Sequence, residues 1–482
     1  MDLFMKYPNE VQEEWLFRLL KDAKDTEFGK KFGFAAISNY DTFRKQVPLQ
    51  DYESLKPYIE RIRRGEQNLL WNTEIRWFAK SSGTTDKSKF LPISKESLDG
   101  CHFRGGRDMV TLHCVNNPDT QLFTGKNLAL GGSHKTDLFG THESHHGDVS
   151  AIVIQNLPLW AEYFRLPNLD IALMGEWEDK LNKMAQATMH ENITSLAGVP
   201  SWMLILLRHV MEFRKTETIR DVWPNLELYF HGGVSFGPYK EQFRKIFDRD
   251  QVQYMEVYNA SEGFFGIQDL KTSEEMLLML DYGVFYEFIP IQESGKENPR
   301  TYNISEVNTQ TVYAIVISTN AGLWRYQLGD TIQFTSIQPY RFVITGRTHH
   351  FLNAFGEELM IQNAENALSI ACEKTHAIVS EYTAAPIFME NKNGAHEWVI
   401  EFEKEPNNLA YFADVLDKSL CQLNSDYEAK RYNNYVLKAP VIRKVNPNTF
   451  YKWLKLKNKL GGQFKVPRLA NDRRFVEELL SL

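Results

Sequence analysis

The sequence predicts an α/β protein in two parts, a large multi-layer N-terminal domain with β-sheets flanked by helices and a smaller α+β C-terminal domain. Three observations carry that expectation. Strand-like apolar runs alternate with helical periodicities through most of the chain, as they do in layered α/β folds. The 482 residues exceed what a single core organises, since domains average roughly 150 residues. Strand-rich sequence ending at Phe342-Val343-Ile344-Thr345-Gly346-Arg347 gives way to a helical pattern from Glu358, which places a first domain at residues 1–347 and a second at 348–482.

Composition excludes several classes. An apolar content of 43% with 24% charged residues is that of an ordinary globular protein, and a net charge of −7 argues against a general nucleic-acid binder. Cys101, Cys114, Cys372 and Cys421 contain no C-x-x-C pair, so neither a disulfide framework nor a zinc site is expected. The first residues are polar and mixed, and no apolar run approaches the roughly 18 residues of a membrane span. The expectation is a cytoplasmic protein with no membrane partner.

In chain order, Asn9 is placed to cap a helix through Val11, Leu16, Leu19, Leu20 and Ala23, with Gly29 as its stop. A second helix follows Pro48, with Leu55, Tyr58, Ile59 and Ile62 on one face and Gly65 beyond it. Residues 75–79 and 90–93 read as strands around a polar loop, and Leu128-Ala129-Leu130, Ile152-Val153-Ile154 and residues 193–199 also read as strand-like. Pro200 starts an apolar helix. Strands at residues 226–230, 253–257, 277–290 and 311–319 follow. Phe285 and Tyr286, on one of them, either line an apolar pocket or pack the core. The second domain reads as a helix at 363–373, a strand at 398–402 and a long helix at 409–427.

Several loops between these elements carry groups suited to chemistry. Ser81-Ser82-Gly83-Thr84-Thr85-Asp86-Lys87-Ser88-Lys89 offers hydroxyls, ammonium groups and a glycine-freed backbone, the donors a polyphosphate needs, although a solvated Ser/Thr turn is the plainer alternative. It lacks the second glycine of the common nucleotide-hydrolase loop. Gly232-Gly233 at a strand end leaves bare backbone for a flat ring, or is a simple turn. Tyr258-Asn259-Ala260-Ser261-Glu262-Gly263 places an aromatic ring suited to a nucleobase near Glu262, a carboxylate suited to Mg²⁺. Asp330, after Gly329, can accept both hydroxyls of a ribose or can belong to a surface turn. Lys465, in Gly461-Gly462-Gln463-Phe464-Lys465, sits on a glycine-rich loop that can swing a cation onto a phosphate. His134, His142, His145 and His146 are read as a polar surface loop rather than a metal site. No Gly-x-Ser-x-Gly elbow points to a hydrolase.

Taken together, SSGTTDKSK, YNASEG, YQLGD, ITGRTHHF and QFKVPR resemble, in the same order, the motif series of the adenylate-forming acyl-activating superfamily. Residues 9–65, GLWRYQLGD and LNSDYEAKR resemble more narrowly the auxin-responsive acyl acid-amido synthetase family, in a bacterial-type member, and the resemblance spans nearly the whole chain. It implies that ATP and a carboxylic acid form an acyl-adenylate, which the amine of an amino acid then attacks to give an amide and AMP. By the match, Ser81, Ser82, Gly83, Thr84, Thr85 and Lys89 hold phosphates. Gly232, Gly233 and Tyr258 hold adenine, Ser261 and Glu262 a phosphate and Mg²⁺, and Asp330 the ribose. Arg347 reaches the nucleotide beside the hinge, and Lys465 completes the adenylation site from a mobile second domain that rotates about residues near Thr348. Two positions depart from the superfamily pattern. Asp86 stands where a glycine is usual and Gln327 where an arginine is usual, which leaves open whether Arg325 replaces the lost cation. The competing readings are an acid:CoA-type ligase that forms a thioester, and a nucleotide-binding protein without catalysis.

Overall fold

The computed structural model describes residues 1–81, 89–233, 236–247, 252–296, 298–348, 351–352, 354–355, 357, 359–388, 394–431, 437–457, 459–460 and 466–482. The chain folds as two compact units, one of Met1–Gly233 and Phe247–Val343, the other of Val234–Ile246 and Ile344–Leu482. The short segment Val234–Ile246 therefore belongs to the second unit although it lies deep inside the N-terminal sequence.

The first unit is built on two sheets. Strands β1 (Trp77–Ser81), β2 (Lys89–Ile93), β4 (His134–Phe139) and β5 (His142–Gly147) form one, in the order β2-β1-β5-β4. The other strands are β3 (Lys126–Ala129), β6 (Arg165–Leu166), β7 (Ile193–Ala197), β8 (Leu228–Gly232), β9 (Gln253–Ala260), β10 (Gly263–Ile267) and β11 (Met276–Leu278). With β12 (Val284–Pro290), β13 (Val312–Thr319), β14 (Tyr326–Ile337) and β15 (Tyr340–Arg347) they form a sheet of order β12-β13-β14-β15-β11-β10-β9-β8-β7-β3-β6. Its β6-β3-β7-β8-β9 side is parallel, and beyond β9 the pairings of β10 with β9 and with β11 are antiparallel. β9 is thus the seam between two kinds of sheet.

The sheet curls at β10. Its register with β9 shifts between Phe264 and Gly266, so one extra residue, Phe265, bends the strand. Gly266 is required there, because a Cβ would lie 2.7 Å from the Phe342 ring of β15. β14 carries a second irregularity: Leu328, Gly329 and Asp330 lie opposite the single residue between Ala314 and Val316 of β13. Gly329 takes φ +86°, which few residues but glycine tolerate.

Local corrections to the sequence reading have clear causes. The helix expected from Asn9 runs from Pro8 to Ala23, behind a short helix at Asp2–Lys6, and Gly29 lies inside a separate helix, Glu27–Lys31, capped by Thr26. Ile152-Val153-Ile154 is helical, in Val149–Gln155, since Val149, Ala151, Ile152 and Ile154 are all buried at helical spacing. The 52–63 helix forms as expected, with Asp51 and Ser54 making a reciprocal capping box and Gly65 beyond it at φ +103°. In the second unit, β18 (Ile378–Phe388), β19 (Gly394–Lys404) and β20 (Val441–Val445) form a sheet of order β18-β19-β20, following the short pair β16 (Phe351–Leu352) and β17 (Leu359–Met360). The helices Ile361–Thr375 and Leu409–Leu423 share its core through Leu368, Ala371, Phe412 and Leu416 around Trp398 and Tyr382. The expected long helix breaks at Asn424, whose side chain accepts from the Tyr427 amide at 2.7 Å and starts a new helix, Ser425–Arg431.

A buried ion pair in the first unit centres on Arg325. Its guanidinium pairs with both oxygens of Glu287, each at 2.8 Å, and donates to the Arg44 and Val47 carbonyls and to Thr301 Oγ1. All five N–H groups of the fork are engaged. The residue holds φ +43°, a backbone cost that this network offsets. Removing one partner strands the other charge in a site where the two side chains are 5% and 1% exposed, which costs about 3–5 kcal/mol. Glu287→Ala should lower the denaturant midpoint of the first unit accordingly, and a loss below about 1 kcal/mol would show the pair to be energetically idle.

Candidate active site

The sequence motifs converge on one end of the parallel strands. β8 ends in Gly232, where a Cβ would lie 2.3 Å from the Val257 carbonyl oxygen of β9, and Gly233 follows at φ +81°. Both glycines are therefore demanded by the backbone. Next to them β9 turns into β10 through the two-residue turn Ser261-Glu262, with Ala260 opposite Gly263. Ser261 is buried and Glu262 half-buried. These two loops lie at the carboxyl ends of adjacent parallel strands, where open α/β sheets bind ligands.

The hairpin is held from behind. His102 Nδ1 donates to Asn259 Oδ1 at 3.1 Å, and burial pushes the His102 imidazole down to about 4, so it stays neutral. Beside it the Phe264 amide donates to Cys101 Sγ at 3.1 Å. Both residues belong to Leu98–His102, a wide π-helical turn that brings consecutive side chains onto the hairpin. Sequence reasoning missed this support, because a lone histidine in a helical run carries no signal.

Asp330 and Tyr258, assigned separately from the sequence, meet. The Tyr258 hydroxyl donates to Asp330 Oδ2 at 2.5 Å, and both residues are buried. The Tyr258 ring packs against Phe265 and Phe342, with centroids 5.1 and 6.1 Å away. Arg325 does not stand in for the cation missing at Gln327. Its donors are spent within the core, while Gln327 is exposed with its amide bonded to the Gln50 carbonyl at 2.8 Å.

The polar loop's stem is well defined. Ser81 of β1 pairs with Lys89 of β2, and the Lys89 ammonium lies 5.8 Å from the Tyr52 ring centroid. The Phe90 amide donates to the Tyr52 hydroxyl at 2.9 Å, and the Arg63 guanidinium stacks on the Phe90 ring at 3.7 Å. Ser82, Gly83, Thr84, Thr85 and Asp86 lie outside the described residues, as does Lys465. Arg347 ends β15 and is exposed.

The histidines expected on a surface loop lie on the β4–β5 hairpin. His145 stacks on Trp77 at 4.5 Å, and His146 Nδ1 lies 3.3 Å from Asp137. Burial lowers the affinity of His134, His145 and His146 for protons. Among the described residues no three His, Cys, Asp or Glu side chains cluster to hold a metal. Phe285 and Tyr286 are core residues, Phe285 against Tyr40 and Phe43, and Tyr286 against Phe265 and Phe288. The LNSDYEAKR segment is architectural. Arg431 and Tyr427 both grip Asp417.

A mixed sheet with glycine turns at its switch strand, followed by a small α+β unit, is the fold of adenylate-forming ligases. It is shared with a 2-hydroxyisobutyryl-CoA ligase in the postadenylation state at a TM-score of 0.62 and 14% identity, covering 98% of this chain and 92% of that one. A GH3.15 acyl acid amido synthetase matches at a TM-score of 0.79 and 17% identity, over 98% of this chain and 93% of that one. The chain belongs to the GH3 family: its N-terminal domain matches residues 1–252, its central domain 277–347 and its C-terminal domain 362–474. Relatives include the indole-3-acetic acid-amido synthetase GH3.3 of Arabidopsis thaliana, 24% identical over 97% of this chain and 90% of that protein. The jasmonoyl–L-amino acid synthetase JAR4 of Nicotiana attenuata is 23% identical over 97% of this chain and 92% of its own. No helix among the described residues is long and apolar enough to cross a membrane.

The Tyr258–Asp330 contact yields a prediction. Tyr258→Phe keeps the ring's packing and removes the donor to a buried carboxylate, a charge-assisted bond of about 1.5–3 kcal/mol. Chemical unfolding should show a loss of that size, and unchanged stability would mean that the contact carries no net energy.

Proposed function

We propose that this chain is an ATP-dependent acyl acid-amido synthetase. It activates a carboxylic acid as its acyl-adenylate, releasing pyrophosphate, and transfers the acyl group to the amine of an amino acid with release of AMP. The observation that carries this reading is the meeting of Gly232-Gly233, Ser261-Glu262 and the Tyr258–Asp330 pair around the end of β9, in a chain of the GH3 family. The named relatives are an indole-3-acetic acid-amido synthetase and a jasmonoyl–L-amino acid synthetase, which supports an amide product over a thioester.

In this reading Gly232 and Gly233 offer bare backbone to the adenine, beside the Tyr258 ring. Asp330, positioned by the Tyr258 hydroxyl, accepts from the ribose. Ser81, Ser82, Gly83, Thr84, Thr85 and Lys89 hold the phosphates, and Ser261 donates to one of them. The half-buried carboxylate of Glu262, at a hairpin tip, is an oxygen donor of the kind Mg²⁺ prefers, and the ion when bound supplies charge stabilisation on the phosphates. Arg347 reaches the nucleotide beside the hinge, and Lys465 acts from the domain comprising residues 348–482, which rotates between the two half-reactions, because the leaving AMP and the incoming amine do not occupy the place of pyrophosphate. The four free cysteines fit a cytoplasmic enzyme.

Acid-dependent exchange of labelled pyrophosphate into ATP, across a panel of carboxylic acids, tests the first half-reaction. Amide formation with amino acids, against thioester formation with CoA, tests the second. No exchange with any acid would sink the enzyme reading. Thioester without amide would replace it with the CoA-ligase alternative.

Two variants refine the roles. Glu262→Gln should raise the Mg²⁺ concentration needed for half-maximal adenylation and leave the ranking of acids alone; an unaltered Mg²⁺ dependence would remove Glu262 from the metal site. Lys465→Ala should slow adenylation by about ten- to hundredfold, the loss of one charge-assisted contact. Given presynthesised acyl-adenylate, it should form amide near the parent rate, and equal loss in both steps would assign Lys465 to the fold.

A further inference from the structure

The tip of the β9–β10 hairpin stands clear of the sheet that carries it. Pairing with β8 ends at Gly232–Val257, and pairing with β11 reaches no further than Gly266–Leu278. The extra residue at Phe265 interrupts the ladder just behind the tip. Ala260–Gly263 and Asn259–Phe264 are then the two pairs between that bulge and the Ser261-Glu262 turn. So short a ladder sets no firm direction by itself, since even a whole isolated hairpin is only marginally stable in water.

The wide turn Leu98–His102 takes hold of the Asn259–Phe264 pair from both strands. On β10, Cys101 Sγ accepts from the Phe264 amide at 3.1 Å and donates to the Phe264 carbonyl at 3.7 Å. On β9, His102 Nδ1 donates to Asn259 Oδ1 at 3.1 Å. Cys101 is 1% exposed and His102 4%. Burial pushes the thiol up to about 12 and the imidazole down to about 4, so both bond as neutral groups. A π-helical turn, closed by i→i+5 bonds, sets its residues more closely around the axis than an α-helical one, which lets consecutive side chains face one pair. The helix that continues the turn, Phe103–Asn116, presses on the same place: a Cβ at Gly105 would lie 2.6 Å from the Phe264 ring.

Asn259 stands between two functional groups. Tyr258 before it bonds Asp330, and Ser261 and Glu262 follow it by two and three positions. Cys101 holds backbone, which any sequence offers, whereas His102 holds a side chain and is the specific half of the clamp. We propose that His102 is a positioning residue for the metal site, fixing through Asn259 the direction in which the Glu262 carboxylate leaves the hairpin tip. The proposal rests on the reading of Glu262 as the Mg²⁺ carboxylate given above. Groups that orient a metal's ligands from outside matter to the ion, and losing one costs about ten- to hundredfold in affinity.

The test compares His102→Phe, which keeps a ring and removes the donor, with His102→Asn, which returns an N–H near the place of Nδ1. Mn²⁺ is titrated into the full-length protein with α,β-methylene ATP, and the free ion is followed by electron paramagnetic resonance, so no turnover is involved. His102→Phe should weaken Mn²⁺ binding about tenfold, and His102→Asn should recover most of that loss. Asn259→Ala, which breaks the bond from its other side, should match His102→Phe, and the two together should be no worse than either. In a Glu262→Gln background His102→Phe should add nothing. The Mg²⁺ concentration for half-maximal pyrophosphate exchange should rise in step with the Mn²⁺ measurement.

Equal weakening by His102→Phe and His102→Asn would overturn the proposal in favour of packing. Further loss in the Glu262→Gln background would overturn it in favour of a route that bypasses the carboxylate. Unchanged Mn²⁺ binding in both His102→Phe and Asn259→Ala would leave the clamp without a link to the ion and refute it outright. If Glu262→Gln binds Mn²⁺ as the parent does, the carboxylate leaves the metal site and takes this proposal with it. A parent that shows the expected binding pattern but exchanges no pyrophosphate with any acid would instead refute the proposed reaction and leave the positioning of Glu262 standing.

Discussion

The curl of the large sheet at β10 is the constraint on which the rest of the first unit depends. In strand order β14 is four steps from β9, which in a flat sheet would put them roughly 19 Å apart, too far for a tyrosine and an aspartate to touch. Their hydroxyl–carboxylate bond exists because Phe265 is an extra residue in β10 and Gly266 lets Phe342 lie directly against the strand. A side chain larger than hydrogen at Gly266 would push β15 away and open the curl. The bulge at Leu328-Gly329-Asp330 then turns the carboxylate inward. Irregularities in two strands therefore accompany the meeting of these two side chains.

Much of this was readable in the sequence where the signal is local. Strands that end in glycines were legible at Gly232 and at Asn259–Glu262, because an apolar run and a backbone demand sit side by side. The capped helix after Asp51 was legible for the same reason. Local periodicity failed where burial was the same on either reading: Ile152-Val153-Ile154 fits a buried helix as well as a strand, and only its neighbours decide. β18 went unread because Pro386 and a pair of alanines disguise it. Its place at the edge of the β18-β19-β20 order accommodates a proline.

Contacts between distant residues were illegible for a different reason. Tyr258 and Asp330 are 72 positions apart, and His102 and Asn259 are 157 apart. Nothing in either neighbourhood encodes its partner. Arg325 shows the complementary difficulty, since an arginine next to a nucleotide motif reads as a phosphate ligand, yet its five donors close on Glu287, Thr301 and two carbonyls. Lys180 is similar. It is a buried ammonium, pushed down to about 8 by burial, that fastens the Gly131 and Gly132 carbonyls at 2.6 and 2.8 Å and so shapes the turn after β3.

The membership of Val234–Ile246 in the second unit bears on how this chain can be divided. No single cut separates the units, because the polypeptide leaves the first, enters the second, returns, and leaves again. A fragment beginning at residue 344 would lack Tyr239 and Gln242, leaving the Arg468 fork and the Val379 carbonyl without the partners they have here. Exchange of C-terminal domains between related synthetases, made at the apparent linear junction, would therefore graft a module missing one of its own pieces. A chimera that keeps the unit whole must carry a thirteen-residue insert from the donor's N-terminal half as well.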